Sequence, residues 1–233
     1  MNAVLEEIQK TGIVAIVRLE NYDQGGEIAE ALCAGGISVF EFTLTGRRSH
    51  QAVTRVRHAL GDQAHIGIGT VLNPQQAREA MDAEAEFIVT PTMRTDVIHL
   101  CRKQGVPIVC GALTPTEALT AHEAGADLIK IFPARTGGPT YIRDLLAPLP
   151  HLRLVPTGGI TAQNAGAYLQ AGAIAVGIGG NLVSQQVVAA RDWTHITSVA
   201  RECVRAVQGY IGEAHGGDSG SYVLVFRLME TKG

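Results

Sequence analysis

Short apolar runs separated by segments with helical spacing constrain the fold of this chain more than any other feature. The segments between the runs are rich in Ala, Leu and Glu, and several end in Gly, as helices commonly do. Strands that alternate with helices indicate a parallel sheet, and eight repeats in 233 residues favour closure into a (β/α)8 TIM barrel over an open, doubly wound sheet. The eight runs are GIVAIVR (12–18), ISVFEFT (37–43), AHIGIGT (64–70), AEFIVTP (85–91), VPIVCG (106–111), DLIKIFP (127–133), LRLVPTGG (152–159) and IAVGIGG (174–180).

The two ends of the chain add further elements. The first residues, MNAVLEEIQKTG, have the pattern of an acidic amphipathic helix and lack the basic and apolar regions of a signal peptide. We therefore predict one barrel domain with an N-terminal helix over residues 1–212, followed by a Gly/Ser-hinged tail over residues 213–233. The tail contains SYVLVFRL, which has high strand propensity. Packing on the outside of the barrel, pairing with another chain and a foreign origin all remain open for it.

Composition and charge exclude several classes of function. The net charge of -3 and the absence of a Lys/Arg block argue against nucleic-acid and anionic-membrane surfaces. The four cysteines are scattered, and the histidines lack ligand spacing, so we expect neither disulfides nor a metal site. The longest apolar stretch, residues 171–183, is interrupted by Gly and too short to span a bilayer. We expect a soluble, cytoplasmic protein.

A lysine in the middle of the sixth apolar run is the first candidate for chemistry, because lysine is almost never fully buried without compensation. Strand alternation places Lys130 on the face opposite Ile129 and Ile131, and so directs it into the barrel if the isoleucines face the helices. The same alternation directs Glu41 inward and Phe40 outward. In such barrels the active site lies at the carboxyl ends of the strands. Polar residues near those ends are Arg18, Glu41, Thr43, Thr70, Lys130 and Thr157.

An inward Lys130 and an inward Glu41 have two interpretations. They could form a buried ion pair whose members only neutralise each other. Alternatively, Lys130 could form a Schiff base with a carbonyl substrate while Glu41 carries protons, since burial disfavours a charged amine and supplies the free amine that attacks. We favour chemistry, because no structural need calls for a charged pair at this end of a core.

Two glycine pairs add a second signal. Gly158–Gly159 and Gly179–Gly180 end the seventh and eighth runs, where barrels of this kind often bind phosphate through backbone N–H groups. Glycine allows the backbone to approach an anion closely. Either pair alone could be an ordinary tight turn, whereas two pairs on adjacent final strands predict a phosphate site.

Taken together and in order, several segments identify a family. The chain resembles the class I 2-keto-3-deoxy-6-phosphogluconate (KDPG) / 4-hydroxy-2-oxoglutarate (KHG) aldolases over about residues 5–210. The resemblance implies a metal-free lyase without a cofactor, in which Lys130 forms the Schiff base and Glu41 is the general acid/base. It also implies a homotrimer that cleaves a 2-keto-3-deoxy acid to pyruvate and an aldehyde. The segments are GGISVFEFTLT, IGIGTVLNPQQ, FIVTPT, PIVCGALTPTEALTAHEAGADLIKIFPA and LVPTGGI.

The resemblance further implies a substrate-binding set around this pair, with two departures from the family pattern. Thr45 stands where many members carry the arginine that grips the substrate carboxylate, with Arg47 and Arg48 slightly later, and Asn181 replaces a frequent serine. The aldehyde, glyceraldehyde 3-phosphate or glyoxylate, stays open. A phosphate-binding isomerase or synthase without a covalent intermediate and a non-catalytic assembly scaffold are the alternatives. The implied binding residues are Arg18, Thr45, Thr70, Pro91, Phe132, Gly158, Gly159, Gly179, Gly180 and Asn181.

Overall fold

The structure is a barrel of parallel strands surrounded by helices. A computed structural model describes residues 2–211, so the predicted tail (213–233) lies outside the described residues. Eight strands pair in the order β7-β6-β5-β4-β3-β2-β1-β8, and every pairing between them is parallel. The strands are β1 (Ile13–Val17), β2 (Val39–Thr43), β3 (His65–Gly69), β4 (Ile88–Val89), β5 (Ile108–Ala112), β6 (Leu128–Ile131), β7 (Leu154–Pro156) and β8 (Val176–Ile178).

The sheet closes on itself between its two outer strands. Thr157, which follows β7, forms a parallel bridge with Gly177 of β8. The backbone N–H of Ile174 also donates to the carbonyl of Leu154 at 3.0 Å. The order of the strands and this closure confirm the predicted (β/α)8 TIM barrel; seven strands lie within their apolar runs of the sequence, and β5 extends one residue beyond its run.

Helices connect the strands on the outside, and their ends follow ordinary capping chemistry. Thr114 and Glu117 form a reciprocal capping box before α6, where Pro115 occupies the first turn. Asn73 caps α4 more simply, because its side chain accepts from the N–H of Gln76. The helices are α1 (Ala3–Thr11), α2 (Gly25–Ala34), α3 (Ser49–Leu60), α4 (Pro74–Asp82), α5 (Thr95–Gln104), α6 (Pro115–Glu123), α7 (Gly138–Leu146), α8 (Ala162–Gln170), α9 (Gln185–Ala189) and α10 (Trp193–Ile211).

Apolar side chains form two separate layers. Phe40, Phe42, Ile129 and Ile131 belong to the large layer between the sheet and the helices, as strand alternation predicts. The smaller layer fills the amino-terminal half of the barrel, and α1 covers it from below. Because one end is packed with apolar side chains, polar groups inside the barrel are confined to the carboxyl ends of the strands. The inner layer consists of Val4, Leu5, Ile8, Val14, Val39, Phe87, Val89, Val109, Leu128, Val155 and Ala175.

None of the helices within residues 2–211 is long and apolar enough to cross a membrane.

Candidate active site

Lys130 and Glu41 meet inside the barrel from opposite sides. Lys130 lies on β6 and Glu41 on β2, and three strands separate β6 from β2 in the sheet order. Their side chains nevertheless bring Nζ of Lys130 to 3.7 Å from Oε1 of Glu41. Both side chains are almost fully buried, with 5% and 1% of their surface exposed. An amine and a carboxylate therefore share one enclosed space at the carboxyl end of the barrel.

Glycines on the inner face of the sheet leave the room that this pair occupies. A Cβ atom at Gly69 of β3 would lie 2.5 Å from the carboxyl carbon of Glu41. At Gly111, which is opposite Lys130 in the β5–β6 register, it would lie 2.3 Å from the carbonyl carbon of Pro91. Real Cβ contacts are not that short, so a side chain at Gly69 would displace the carboxylate and one at Gly111 would displace the loop after β4.

The pair lines a small cavity whose remaining walls are mostly apolar. The cavity has a volume of about 10 Å³, which is close to what one water molecule needs. Thr157 lines it as well; strand position placed Thr157 among the polar residues at the active-site end, although the family resemblance did not include it in the binding set. The lining residues are Val14, Ile16, Glu41, Val89, Val109, Lys130, Val155, Thr157 and Gly177.

Burial dominates the electrostatics of Glu41. Loss of hydration raises the pKa of its carboxyl above the ordinary 4.5, and the positive charges of Lys130 and Arg18 partly oppose that rise. Neither carboxyl oxygen has a hydrogen-bond partner among the residues that the structure describes. The ring of Phe132 flanks the amine, with its centroid 5.4 Å from Nζ of Lys130. Glu41 is thus a carboxyl group that can hold a proton at a higher pH than an exposed glutamate.

The predicted carboxylate-binding residues lie at the mouth of the barrel. Arg18 is exposed and directly follows β1. Thr45 is exposed, and its hydroxyl lies 2.7 Å from that of buried Thr43. Arg48, a candidate for the same role in the sequence, forms an ion pair with Asp23 instead. Arg18 and Arg47 are thus the exposed arginines of this group that form no ion pair among the described residues.

Other predicted residues border the same mouth. Thr70 directly follows β3 and has a positive φ of 62°, a conformation that is uncommon for a residue with a side chain. Pro91 follows β4, and its carbonyl lies against Gly111 of β5. Phe132 follows β6 directly. The fold thus places Thr70, Pro91 and Phe132 of the implied binding set at the carboxyl ends of their strands.

The turns Gly158–Gly159 and Gly179–Gly180 follow the adjacent strands β7 and β8. The structural reason for glycine is not the same in the two turns. Gly158 and Gly159 have φ values of 96° and 82°, which glycine adopts readily. Gly180 has open space where a Cβ would lie, so packing does not require glycine there. The amide of Asn181 donates to the carbonyl of Ile160 at 3.2 Å and links the second turn to the first.

Free backbone donors are present in these turns. Within residues 2–211, the N–H groups of Gly159 and Gly180 donate to no acceptor, whereas the carbonyls of Gly158 and Gly159 accept hydrogen bonds. Unpaired N–H groups beside positive-φ glycines are suited to bind an anion. This arrangement could hold a phosphate group close to the mouth of the barrel.

The fold and this site define a (β/α)8 barrel with a buried lysine–carboxylate pair at the carboxyl ends of its strands. A family model described as KDPG and KHG aldolase matches residues 4–199. The chain therefore belongs to the KDPG and KHG aldolase family.

Individual relatives agree with this assignment. The 2-dehydro-3-deoxy-phosphogluconate aldolase of Treponema pallidum is 32% identical over 111 residues, which are 48% of this chain and 52% of that protein. The aligned part of the chain thus spans about half the length of this curated relative. A solved structure described as native KDPGal is 32% identical with a TM-score of 0.80, covering 86% of this chain and 96% of that one.

A third relative was solved with a reaction intermediate. It is the KDPG aldolase of Legionella pneumophila with pyruvate captured at low pH as a covalent carbinolamine. This structure is 26% identical, with a TM-score of 0.79, and the match covers 85% of this chain and 96% of that one.

Proposed function

We propose that the protein is a class I aldolase that reversibly cleaves a 2-keto-3-deoxy sugar acid to pyruvate and an aldehyde. The observation that carries this proposal is the buried amine of Lys130, 3.7 Å from a carboxylate whose oxygens have no hydrogen-bond partner among the described residues. A purely structural ion pair would gain from further hydrogen bonds to its oxygens. Unpaired oxygens beside a water-sized space are instead suited to exchange protons with a substrate.

Covalent bond formation is the first stage of the proposed reaction. The neutral amine of Lys130 attacks the C2 carbonyl carbon, and transfer of one proton from the nitrogen to the carbonyl oxygen gives a neutral carbinolamine. Protonation of its hydroxyl group then expels water and leaves an iminium ion. Glu41 supplies the one proton that dehydration consumes, since burial raises the pKa of its carboxyl and extends the pH range over which it holds a proton.

Carbon–carbon cleavage is the second stage. Glu41, now ionised, accepts the proton of the C4 hydroxyl, either directly or through one water. The C3–C4 bonding electrons move into the iminium, so an aldehyde leaves and an enamine remains. The proton that Glu41 took from the C4 hydroxyl then passes to the enamine carbon, and water hydrolyses the resulting iminium to release pyruvate and restore Lys130. The electron pair and each proton are thereby accounted for without a metal or a cofactor.

Substrate binding in the proposal uses the mouth of the barrel. Arg18 and Thr45 contact the carboxylate end, while Thr70, Pro91 and Phe132 enclose the pyruvate portion. Gly158–Gly159, Gly179–Gly180 and Asn181 bind a distal phosphate when the substrate carries one. KDPG and KHG are the proposed substrates, and free backbone N–H groups in the glycine turns support the phosphorylated compound.

The assembly and the location are also proposed from family membership. We propose a homotrimer in the cytoplasm, and the four cysteines support the location because all of them are free thiols. Size-exclusion chromatography with light scattering tests the trimer directly.

Borohydride trapping tests the central step. Incubation with pyruvate and sodium borohydride should add one reduced pyruvate unit to the protein, and peptide mapping should place it on Lys130. Lys130→Ala should abolish the adduct and the cleavage activity. Lys103→Ala is the matched control, because Lys103 is an exposed lysine on α5.

Two results would contradict the aldolase proposal. Cleavage activity without a trapped adduct on Lys130 would favour the alternative barrel chemistry, in which Lys130 acts only through its charge. A protein that forms neither an adduct nor products would favour the scaffold alternative. Family membership and the buried pair at the barrel mouth favour the aldolase over both.

A further inference from the structure

Arg135 lies directly against the first glycine turn, Gly158–Gly159, and is not one of the binding residues that the family resemblance implies. Arg135 belongs to a short 3-10 turn, Ala134–Thr136, between β6 and α7, and its side chain is exposed. It forms no ion pair or side-chain hydrogen bond with any residue from 2 to 211. Its charge is thus not neutralised by a neighbouring carboxylate.

The backbone ties Arg135 to the glycine turn. The N–H of Arg135 donates to the carbonyl of Gly158 at 3.1 Å, and the N–H of Ala134 donates to the carbonyl of Thr157 at 2.7 Å. These two bonds fix the loop after β6 against the loop after β7. Arg135 therefore keeps its position relative to the turn even though its side chain is exposed.

The side chain of Arg135 crosses the turn. A Cβ atom at Gly159 would lie 2.8 Å from Cβ of Arg135 and 3.3 Å from its Cδ. The aliphatic part of the arginine consequently packs on Gly159, in space that only a glycine leaves open. Gly159 thus has a second reason to be glycine, beyond its positive φ of 82°.

Arginine at this place complements the free N–H group of Gly159 in the turn. A guanidinium group presents several donors in one plane and binds phosphate oxygens with two parallel hydrogen bonds. Backbone N–H groups alone favour any small anion, whereas an added guanidinium favours the dianionic, multidentate phosphate. Among the described residues, no carboxylate forms an ion pair with Arg135 that a phosphate would have to displace.

We propose that Arg135 is a specificity-determining residue that binds the distal phosphate of the substrate. It raises the affinity for phosphorylated over unphosphorylated 2-keto-3-deoxy acids. This inference rests on the proposed aldolase function and adds a residue to the phosphate site that the glycine turns form. It predicts a contribution to substrate binding and none to the covalent chemistry at Lys130.

Steady-state kinetics with a matched pair of substrates tests the inference. KDPG and unphosphorylated 2-keto-3-deoxygluconate would be compared for the wild type, Arg135→Gln, Arg135→Lys and Arg143→Gln. Arg143 is an exposed arginine further along α7, so its replacement removes the same charge at a distance from the turn. Inorganic phosphate would serve as a competitive inhibitor in the same assays.

For Arg135→Gln we expect KM for KDPG to rise about tenfold to a hundredfold, as loss of a charge-assisted hydrogen bond does. The value of kcat and the KM for 2-keto-3-deoxygluconate should not change, because a uniform binding contact is lost. Arg135→Lys should recover part of the affinity. Inhibition by phosphate should weaken in Arg135→Gln and stay at the wild-type level in Arg143→Gln.

The outcomes separate this inference from the function on which it rests. A wild-type protein that traps no pyruvate would overturn the aldolase proposal and the inference with it. Normal trapping, with the same KM for KDPG in the wild type and Arg135→Gln, would overturn the inference alone. An equal rise in KM for both substrates would also overturn it, because it would indicate a general structural effect.

Discussion

Replacement of Glu41 by glutamine separates a proton carrier from a counter-ion. Glutamine keeps the size of the side chain, which matters because Gly69 leaves no room for a bulkier group beside the carboxyl. The change removes no protein hydrogen bond, since neither oxygen of Glu41 has a partner among the described residues. The variant therefore loses two properties: the negative charge near Lys130, and the ability of residue 41 to exchange a proton.

The expected loss follows from the proposed role. A positioned general acid or base contributes about 10²–10⁴-fold to the rate, which corresponds to about 3–5 kcal/mol in the activation barrier. Glu41 is positioned in this sense, because its Oε1 lies 3.7 Å from Nζ of Lys130 in an enclosed site, so we apply the whole range of about 10²–10⁴-fold. We expect kcat of Glu41→Gln to fall by that factor, while KM changes little because substrate contacts at the barrel mouth are intact.

The assay is a pH–rate profile of both proteins with KDPG. Burial raises the pKa of Glu41 above 4.5, and its ionised form takes the C4 hydroxyl proton. The kcat of the wild type should therefore fall as the pH decreases through that raised pKa. The profile of Glu41→Gln should lose this limb and stay low throughout. Borohydride trapping at short times should also yield less iminium in the variant.

A counter-ion role predicts the opposite result. If Glu41 only balances the charge of Lys130, its replacement removes no step of proton transfer, and kcat would hold or rise near neutral pH. A Glu41→Gln protein within a few-fold of the wild type across the profile would refute the proton-transfer role.

The remaining predictions concern the space, the stability and the charge around the same pair. Gly69→Ala should lower kcat by about 10²-fold, because the new methyl group would displace the carboxyl of Glu41, and displacement of a catalytic group by about 1 Å can have that effect. Tyr22→Phe should lower the free energy of unfolding, measured in urea, by about 1–3 kcal/mol. The buried hydroxyl of Tyr22 accepts from the N–H groups of Leu19 and Thr43 and donates to the carbonyl of Val17, and the variant loses these hydrogen bonds. In Lys130→Ala the pKa of Glu41 should rise further. The folded carboxyl then keeps a proton that the unfolded one releases, so stability should fall as the pH rises from about 4.5 through the folded pKa, by at most about 1.4 kcal/mol per pH unit.

Matched controls keep these predictions specific. Gly26→Ala is the control for Gly69→Ala, because a Cβ at Gly26 meets no atom within 4 Å. Unchanged kcat in Gly69→Ala would mean that the carboxylate position is not critical. Tyr210→Phe, at a partly exposed tyrosine, is the control for Tyr22→Phe. A flat pH dependence of stability in Lys130→Ala, equal to that of the double variant with Glu41→Gln, would contradict the raised pKa.

The sequence by itself determined the order of elements and the direction of side chains in each strand. Apolar runs of strand length and helical segments between them specify a parallel barrel, and their period of two places Lys130 and Glu41 inside it. These properties are local, because they depend on a few consecutive residues. The family motifs, read in order, also identified the residues that surround the barrel mouth. The roles of those residues stay predictions until the variants are measured.

Only the tertiary structure decided which of these side chains meet. β2 and β6 are on opposite sides of the barrel, so the distance from Lys130 to Glu41 depends on closure of the whole sheet and on the space that Gly69 and Gly111 leave. Arg135 lies on Gly159 because backbone hydrogen bonds join the loop after β6 to the loop after β7. No pattern of neighbouring residues in the sequence predicts that contact. Periodicity along one strand fixes direction, whereas distances between strands arise from packing of residues far apart in the chain.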